Sequence, residues 1–203
     1  EPRAIKAIEK AAKEKHANVI YVEDCDIERC SHYDLKLHGK YQWENAAAAE
    51  LTARHLLNDI TSEQKNDISL NIEESAADRI IKGLERATWP GRMEILSTKP
   101  FLMADGAHNS NGVEALKESL MQMYPGEKFR FFMGVMADKD YDVMVREILP
   151  LATDFFTVTP ESSRALQASN LAEFVQNEGV KATELSDERQ IAEHLSKDTK
   201  NIA

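Results

Sequence analysis

The sequence lacks the short signatures that identify many enzymes and membrane proteins at once. None of G-x-x-x-x-G-K-[ST], G-x-G-x-x-G or G-x-S-x-G occurs in its 203 residues. The chain as given therefore contains no phosphate loop, no dinucleotide fingerprint and no hydrolase nucleophile elbow. No apolar run approaches the roughly 20 residues that a bilayer-spanning helix needs, and the N-terminus shows no signal-peptide pattern. We therefore expect no membrane partner.

Basic residues and cysteines are also scarce. The chain has 25 basic against 35 acidic residues, a net charge of −10, which argues against a nucleic-acid surface but leaves room for a local nucleotide pocket. Cys25 and Cys30 have His32 and His38 nearby, but the paired spacing of a zinc site is missing. The pattern favours two free thiols in a reduced, cytoplasmic protein, with a metal site as the alternative. Because the chain opens on Glu-Pro without an initiator Met, we expect either a processed protein or a piece of a longer one.

The first part of the chain predicts helices with a few short strands between them. The spacing of apolar residues indicates helices, and β-branched or alternating runs indicate strands. The predicted helices are 3–15, 45–57 and 72–85, the predicted strands are 18–22 and 35–37, and the predicted polar loops are 23–34 and 58–71.

After residue 92 the pattern changes to strands that alternate with helices. The predicted strands are 93–96, 101–104, 130–133, 154–158 and 182–185, and the start of another is 201–203. The predicted helices are 112–123, 141–149, 170–177 and 187–195. Such alternation is typical of βαβ units, so the sequence predicts an α/β fold with a Rossmann-like, mostly parallel sheet and flanking helices.

Four segments anchored by glycine or proline carry a family resemblance. They are Gly39-Lys40-Tyr41-Gln42-x-x-Asn45-Ala46, Trp89-Pro90-Gly91-Arg92-x-Glu94, Asp105-Gly106-Ala107-His108-Asn109 and Thr159-Pro160-x-x-x-Arg164-Ala165-Leu166. In this order they resemble the folylpolyglutamate and dihydrofolate synthases, which are Mur-ligase-like ATP-dependent amide ligases. The resemblance implies that 1–88 is the end of an ATPase domain, 89–92 a hinge and 93–203 a truncated C-terminal ligase domain.

The resemblance also implies a reaction for the longer protein. Such ligases add L-glutamate to folate or dihydropteroate through an acyl phosphate that is made with ATP and Mg²⁺. The phosphate loop and the magnesium ligands would lie in a missing N-terminal part, so we expect the fragment alone to be inactive. We expect a cytoplasmic monomer whose partners are these small molecules, not nucleic acid.

Three residues around the hinge are the main site candidates. The guanidinium of Arg92 suits phosphate or ribose oxygens, and a surface ion pair with Glu85 or Glu94 is the alternative. Asp105 and His108 end a predicted strand, where open α/β sheets bind ligands, although Asp-Gly is also a common turn. The resemblance implies that Arg92 and Asp105 contact ATP, and we assign His108 a catalytic role.

Asn45 is the fourth candidate, near the start of the helix 45–57. Its amide can donate and accept, as an adenine edge requires, but asparagine is also among the best helix N-caps. The resemblance implies an adenine contact, although Tyr41 stands where the family usually has histidine. The loops 138–140 and 162–164 also follow predicted strands and could line the same crevice.

Two other functions remain open from the sequence alone. The first is a non-catalytic module that binds a nucleotide or small anion in the same crevice. The second is a Mur-type ligase that acts on another peptide precursor.

Overall fold

A computed structural model describes residues 2–63, 75–187 and 189–197. These residues form two compact units, one drawn from Glu1–Asp34 and Trp43–Leu84, the other from Leu35–Gln42 and Glu85–Ala203. No helix among the described residues is long and apolar enough to cross a membrane. The predicted boundary at the hinge 89–92 remains a prediction.

The first unit is built from helices. They are α1 (Pro2–Glu14), α2 (Asp24–Ser31), α3 (Tyr41–Glu63, whose first two residues belong to the second unit) and α4 (Ala76–Arg86). A fully buried carboxylate, Glu50 of α3, accepts hydrogen bonds from the side chains of Arg29, Cys30, Tyr33 and Arg54. This cluster joins α2 and the turn after it to α3.

Several sequence predictions for this part of the chain are wrong. Residues 18–22 and 35–37 are not strands, and among the described residues before β1 there is no strand with which they could pair. A β-branched run forms a strand only where a partner is available. The predicted loop 23–34 contains α2, which the carboxylate of Asp26 caps by accepting from the backbone N–H of Glu23 at 3.1 Å. The helix predicted at 45–57 extends in both directions, to Tyr41 and to Glu63.

The second unit confirms the α/β class. Its strands are β1 (Glu94–Thr98), β2 (Phe101–Ala104), β3 (Phe129–Met133), β4 (Ala152–Thr157) and β5 (Ala182–Glu184). Its helices are α5 (Ser110–Met123), α6 (Tyr141–Ile148), α7 (Ala168–Asn177) and α8 (Arg189–Lys197), and a 3-10 turn at Leu149–Leu151 follows α6. The strands and the four α-helices were predicted to within a few residues, whereas the 3-10 turn was not predicted. The strand predicted at 201–203 lies outside the described residues.

The parallel part of the sheet is β3-β4-β5, with α6 and α7 as the crossover helices. β1 and β2 instead form an antiparallel pair, because only Lys99 and Pro100 connect them and so short a link can only reverse the chain. A cavity of about 360 Å³ is lined mainly by apolar side chains of β2, β3, α5 and α8.

The core of the second unit is aromatic and aliphatic. Phe129, Phe131 and Phe155 form a chain of ring contacts between β3 and β4, with centroids 6.3 and 5.2 Å apart. Beside them, Arg130 of β3 makes a two-pronged ion pair with Asp154 of β4. These contacts fix the register of β3 against β4, and with it the loops that follow these strands.

Candidate functional site

The turn before β1 is held by its own side chains and backbone. Gly91 has a φ of +69°, and Met93, which is fully buried, has a φ of +45°. Both values lie in the left-handed region that glycine adopts easily and methionine does not. The backbone N–H of Gly91 donates to Oε2 of Glu94 at 2.8 Å. The turn is therefore closed on itself by the first residue of β1.

The turn after β2 is bonded to the turn before β1. Asp105 accepts from the backbone N–H of Met93 at Oδ2 and from that of Ala107 at Oδ1, both at 2.8 Å. The backbone N–H of Gly106 also donates to the carbonyl of Gly91 at 2.7 Å. A carboxylate that accepts two backbone hydrogen bonds is a strong brace. We call the residues 91–94 and 105–107, joined in this way, the hinge knot.

Arg92 is the exposed basic residue of the hinge knot. The carboxylate of Glu94 is directed to the Gly91 amide. The structure therefore does not support an ion pair with Glu94 as the explanation of Arg92. The alternative of an ion pair with Glu85, and the ATP contact itself, stay predictions.

His108 and Asn109 lead from the hinge knot into α5. Asn109 is the N-cap, and its Oδ1 accepts from the backbone N–H of Gly112 at 2.8 Å. His108 is exposed, and its Nδ1 lies 3.0 Å from the carbonyl oxygen of Gly106. If that nitrogen carries the ring proton, Nε2 is the nitrogen that remains to accept a proton or a hydrogen bond.

Tyr41 is a residue of this region that sequence reasoning did not select. Burial raises its pKa, the negative charge of Asp105 raises it further, and the positive charge of Arg92 opposes the shift. Tyr41 thus lies close enough to Asp105 and Arg92 for their charges to change its pKa. Its one signal in the sequence was its departure from the family histidine at that position.

Gly39 explains how the Tyr41 segment is seated in the second unit. It has a φ of +99°, and a Cβ placed there would lie 2.9 Å from Sδ of Met93 and 3.0 Å from Oγ of Ser119. The segment therefore packs tightly against the hinge knot and α5. Only glycine combines this backbone conformation with this close approach.

The two remaining candidate loops are joined to each other. Nη1 of Arg164 lies 3.0 Å from Oδ2 of Asp138, and the backbone N–H of Ala137 donates to the carbonyl of Arg164 at 2.7 Å. Met136 and Ala165 also form an isolated antiparallel bridge. The loop after β3 and the loop after β4 thus form one surface, as expected for strand ends at one edge of a parallel sheet.

Comparison with known families identifies this arrangement. The family model described as "Mur ligase, glutamate ligase domain" matches residues 91–201. That match begins inside the hinge knot and covers more than half of the chain. The chain belongs to this family.

Curated relatives of this glutamate ligase domain include folate enzymes. The chain is 30% identical over 135 residues to a dihydrofolate synthase/folylpolyglutamate synthase of Bacillus subtilis, a match that covers 66% of the chain and 29% of the relative. It is 31% identical over 139 residues to a folylpolyglutamate synthase of Lacticaseibacillus casei, which covers 68% of the chain and 30% of that protein. The resemblance seen in the motifs is confirmed. The chain spans about 30% of the length of these relatives.

Solved structures agree with the curated relatives. A Mycobacterium tuberculosis folylpolyglutamate synthase in complex with ADP matches with a TM-score of 0.59 and 25% identity, over 81% of this chain and 35% of that one. A bifunctional synthase of Yersinia pestis in complex with AMPPNP and a Mn ion matches with a TM-score of 0.55 and 27% identity, over 64% and 30%. These similar proteins bind a nucleotide, and one of them binds a divalent metal.

Asn45 belongs to the first unit of the chain. It is the fifth residue of α3, and its side chain is exposed. The alternative that Asn45 is the helix N-cap is wrong, because the helix begins four residues earlier, at Tyr41. Its assignment as an adenine contact stays a prediction.

The possible metal site near the cysteines finds no support in the described part of the chain. No group of three or more His, Cys, Asp or Glu side chains is placed there to hold an ion. Cys25 is exposed, whereas Cys30 is buried and donates to Oε2 of Glu50 at 3.3 Å. Burial, followed by that contact with Glu50, raises the pKa of the Cys30 thiol to about 11. Cys30 is therefore an inert core residue.

Proposed function

We propose that this chain is part of an ATP-dependent ligase that joins L-glutamate to folate or dihydropteroate. In this reaction ATP phosphorylates a carboxylate of the acceptor, and the glutamate amine attacks the acyl phosphate to give an amide, ADP and phosphate. The family match and the folate synthases among its relatives support the assignment. We further propose that the protein acts in the cytoplasm as a monomer, with residues 1–88 ending its ATPase domain and 93–203 forming its ligase domain.

The observation that carries the proposal is the exposed guanidinium of Arg92 on a turn that hydrogen bonds hold. Arginine offers a fixed fork of donors that matches phosphate oxygens, and the carboxylate of Glu94 is directed to the Gly91 amide and not to Arg92. The hydrogen bonds of the hinge knot hold the backbone on either side of it. Arg92 would thus meet the nucleotide without first breaking an ion pair with Glu94.

The other candidates take supporting roles. Asp105 braces the hinge knot and retains lone pairs on both oxygens for a nucleotide contact. Asn45 would recognise the adenine edge. His108 would accept or hold a proton at Nε2 near the reacting groups.

Magnesium is also part of the proposal, but the described residues do not offer it a site. No cluster of metal ligands is present in them. As the resemblance implies, we propose that Mg²⁺ is held by residues of the N-terminal ATPase domain. The metal would neutralise phosphate charge as it moves.

The test is phosphate release by the complete gene product that carries this chain. The assay supplies ATP, Mg²⁺ and L-glutamate with dihydropteroate or tetrahydrofolate as acceptor, and compares wild type with Arg92→Ala and Asp105→Ala. Arg189→Ala is the matched control, because Arg189 is also an exposed arginine of the second unit. We expect acceptor-dependent turnover, a higher KM for ATP in both site variants, and a control that behaves as wild type.

Two outcomes would contradict the proposal. Turnover with a non-pterin peptide acceptor alone would point to another Mur-type ligase. ATP binding with no turnover on any acceptor would point to a non-catalytic module. The 203-residue chain by itself is expected to show no turnover.

A further inference from the structure

Glu94 is a residue to which no role has yet been given, and its side chain is directed at the backbone of the hinge knot. Its Oε2 accepts from the N–H of Gly91 at 2.8 Å. Glu94 is only partly exposed. It is the first residue of β1, and its pairing with Ala104 of β2 fixes its backbone. Glu94 thus anchors the turn to a strand.

Both backbone polar groups of Gly91 are hydrogen-bonded. Its N–H is held by Glu94, and its carbonyl accepts from Gly106 at 2.7 Å. One residue further on, the backbone N–H of Met93 is held by Asp105. Arg92 therefore sits between two fixed points, and one of them depends on the Glu94 side chain.

A positive φ at Gly91 and at Met93 makes this anchoring necessary. The left-handed conformation of Met93 is costly for a residue with a side chain and persists only where the surroundings hold it. Without the bond from Gly91 to Glu94, the Pro90-Gly91 link could rotate, since glycine allows a wide range of φ and ψ. The direction of the Arg92 side chain would change with it.

We infer that Glu94 is a positioning residue that fixes Arg92 for nucleotide binding. This inference rests on the proposed function, because it takes the ligand of Arg92 to be the phosphate or ribose oxygens of ATP. Glu94 does not itself touch the ligand. The hydrogen bond from Gly91 turns the Glu94 carboxylate toward the backbone.

The test measures ATP binding by the complete gene product and compares two substitutions at Glu94. Glu94→Ala removes the acceptor, and Glu94→Gln keeps an oxygen that can accept from Gly91 but carries no charge. Glu118→Ala is the control, because Glu118 is an exposed glutamate of α5 in the same unit. Each Glu94 variant is also made in the Arg92→Ala background.

We expect Glu94→Ala to weaken ATP binding about tenfold, as the loss of one hydrogen bond to a charged acceptor allows. Glu94→Gln should stay within about threefold of wild type. In the Arg92→Ala background the further effect of Glu94→Ala should fall below about twofold, because the two residues act through the same contact. Exchange of the Gly91 amide hydrogen should be faster in Glu94→Ala and restored in Glu94→Gln.

The results distinguish failure of the positioning role of Glu94 from failure of the proposed ligase function. The positioning role is overturned if Glu94→Ala binds ATP as tightly as wild type does. It is also overturned if Glu94→Ala still weakens ATP binding about tenfold in the Arg92→Ala background. The ligase proposal stands in both cases. If wild type binds no ATP, the proposed function fails first, and the inference fails with it.

Discussion

Asp105 holds the backbone N–H of Met93 at 2.8 Å, twelve residues back along the chain. The same carboxylate holds the N–H of Ala107 with its other oxygen. A residue assigned to ATP by its motif is thus also the brace that keeps a buried methionine in a left-handed conformation. Binding and folding depend on one side chain here.

The first prediction follows from these two hydrogen bonds. Asp105→Ala should lower the free energy of unfolding by about 3 kcal/mol, since two backbone donors lose a charged acceptor. Asp105→Asn should cost less, because its one amide oxygen can keep one of the two bonds. Urea denaturation followed by circular dichroism measures both. Asp138→Ala removes an exposed ion pair to Arg164 and should change little. Equal stability of Asp105→Ala and Asp138→Ala would show that the brace does not operate.

The second prediction compares two glycines that share a positive φ but differ in their surroundings. Gly39 has a φ of +99° and would place a Cβ against Met93 and Ser119, whereas Gly126 has a φ of +82° and open space around it. Gly126→Ala should cost about 1 kcal/mol for the backbone alone, and Gly39→Ala should cost at least twice as much. Thermal unfolding of the two variants tests the difference. Similar costs would mean that the 35–42 segment does not pack as the structure shows.

The second unit was largely predictable because its signals are local. Each strand from β2 to β5 is followed by a helical pattern, β2 to β4 are rich in apolar or aromatic residues, and the elements lie within a few residues of their expected positions. The first unit was less predictable. The run at 18–22 has strand-like residues but no partner strand in the part of the chain that the structure describes. α2 has too few apolar residues to show a helical period.

The site was predictable only in part for a different reason. The resemblance selected Arg92, Asp105 and His108, which lie in or next to the turns before β1 and after β2; their roles stay predictions. The partners of Asp105, however, are backbone N–H groups. Nearly every residue type has such a group, so the sequence does not indicate which ones donate to Asp105. The same is true of the Glu94 bond to Gly91. Only the fold reveals which amides remain to be satisfied.

The third prediction concerns the two thiols. Cys30 is buried, and its pKa is raised to about 11, whereas Cys25 is exposed. Because the thiolate is the reactive form, Cys30 should resist alkylation in the folded protein. Iodoacetamide at pH 8 should add one label to the native chain, at Cys25, and two labels in urea, and peptide mass spectrometry assigns the position. Rapid native labelling of Cys30 would contradict its burial against Glu50.

The fourth prediction is a pH dependence set by Glu50. Burial alone would raise the pKa of this carboxyl, but hydrogen bonds from Arg54 and Cys30, the charge of Arg29 and the hydroxyl of Tyr33 outweigh it, and the net pKa lies below its ordinary value of 4.5. The unfolded chain therefore takes up the proton more readily than the folded one. The stability contributed by the ionised carboxylate is complete above pH 4.5 and is lost as the pH falls through the lower, folded value.

Glu50→Gln tests this directly, since the amide keeps the shape of the side chain but not its charge. At neutral pH the variant should be less stable by about 2 kcal/mol, a figure at the lower end for a buried charge pair because both arginine partners are partly exposed. Its stability should then fall less steeply between pH 5 and pH 3 than that of wild type, so the two curves converge in acid. Glu118→Gln, at an exposed site, should follow the wild-type curve. Parallel curves for Glu50→Gln and wild type would mean that Glu50 does not hold a charge in the folded protein, and the cluster would then have to be a network of neutral hydrogen bonds.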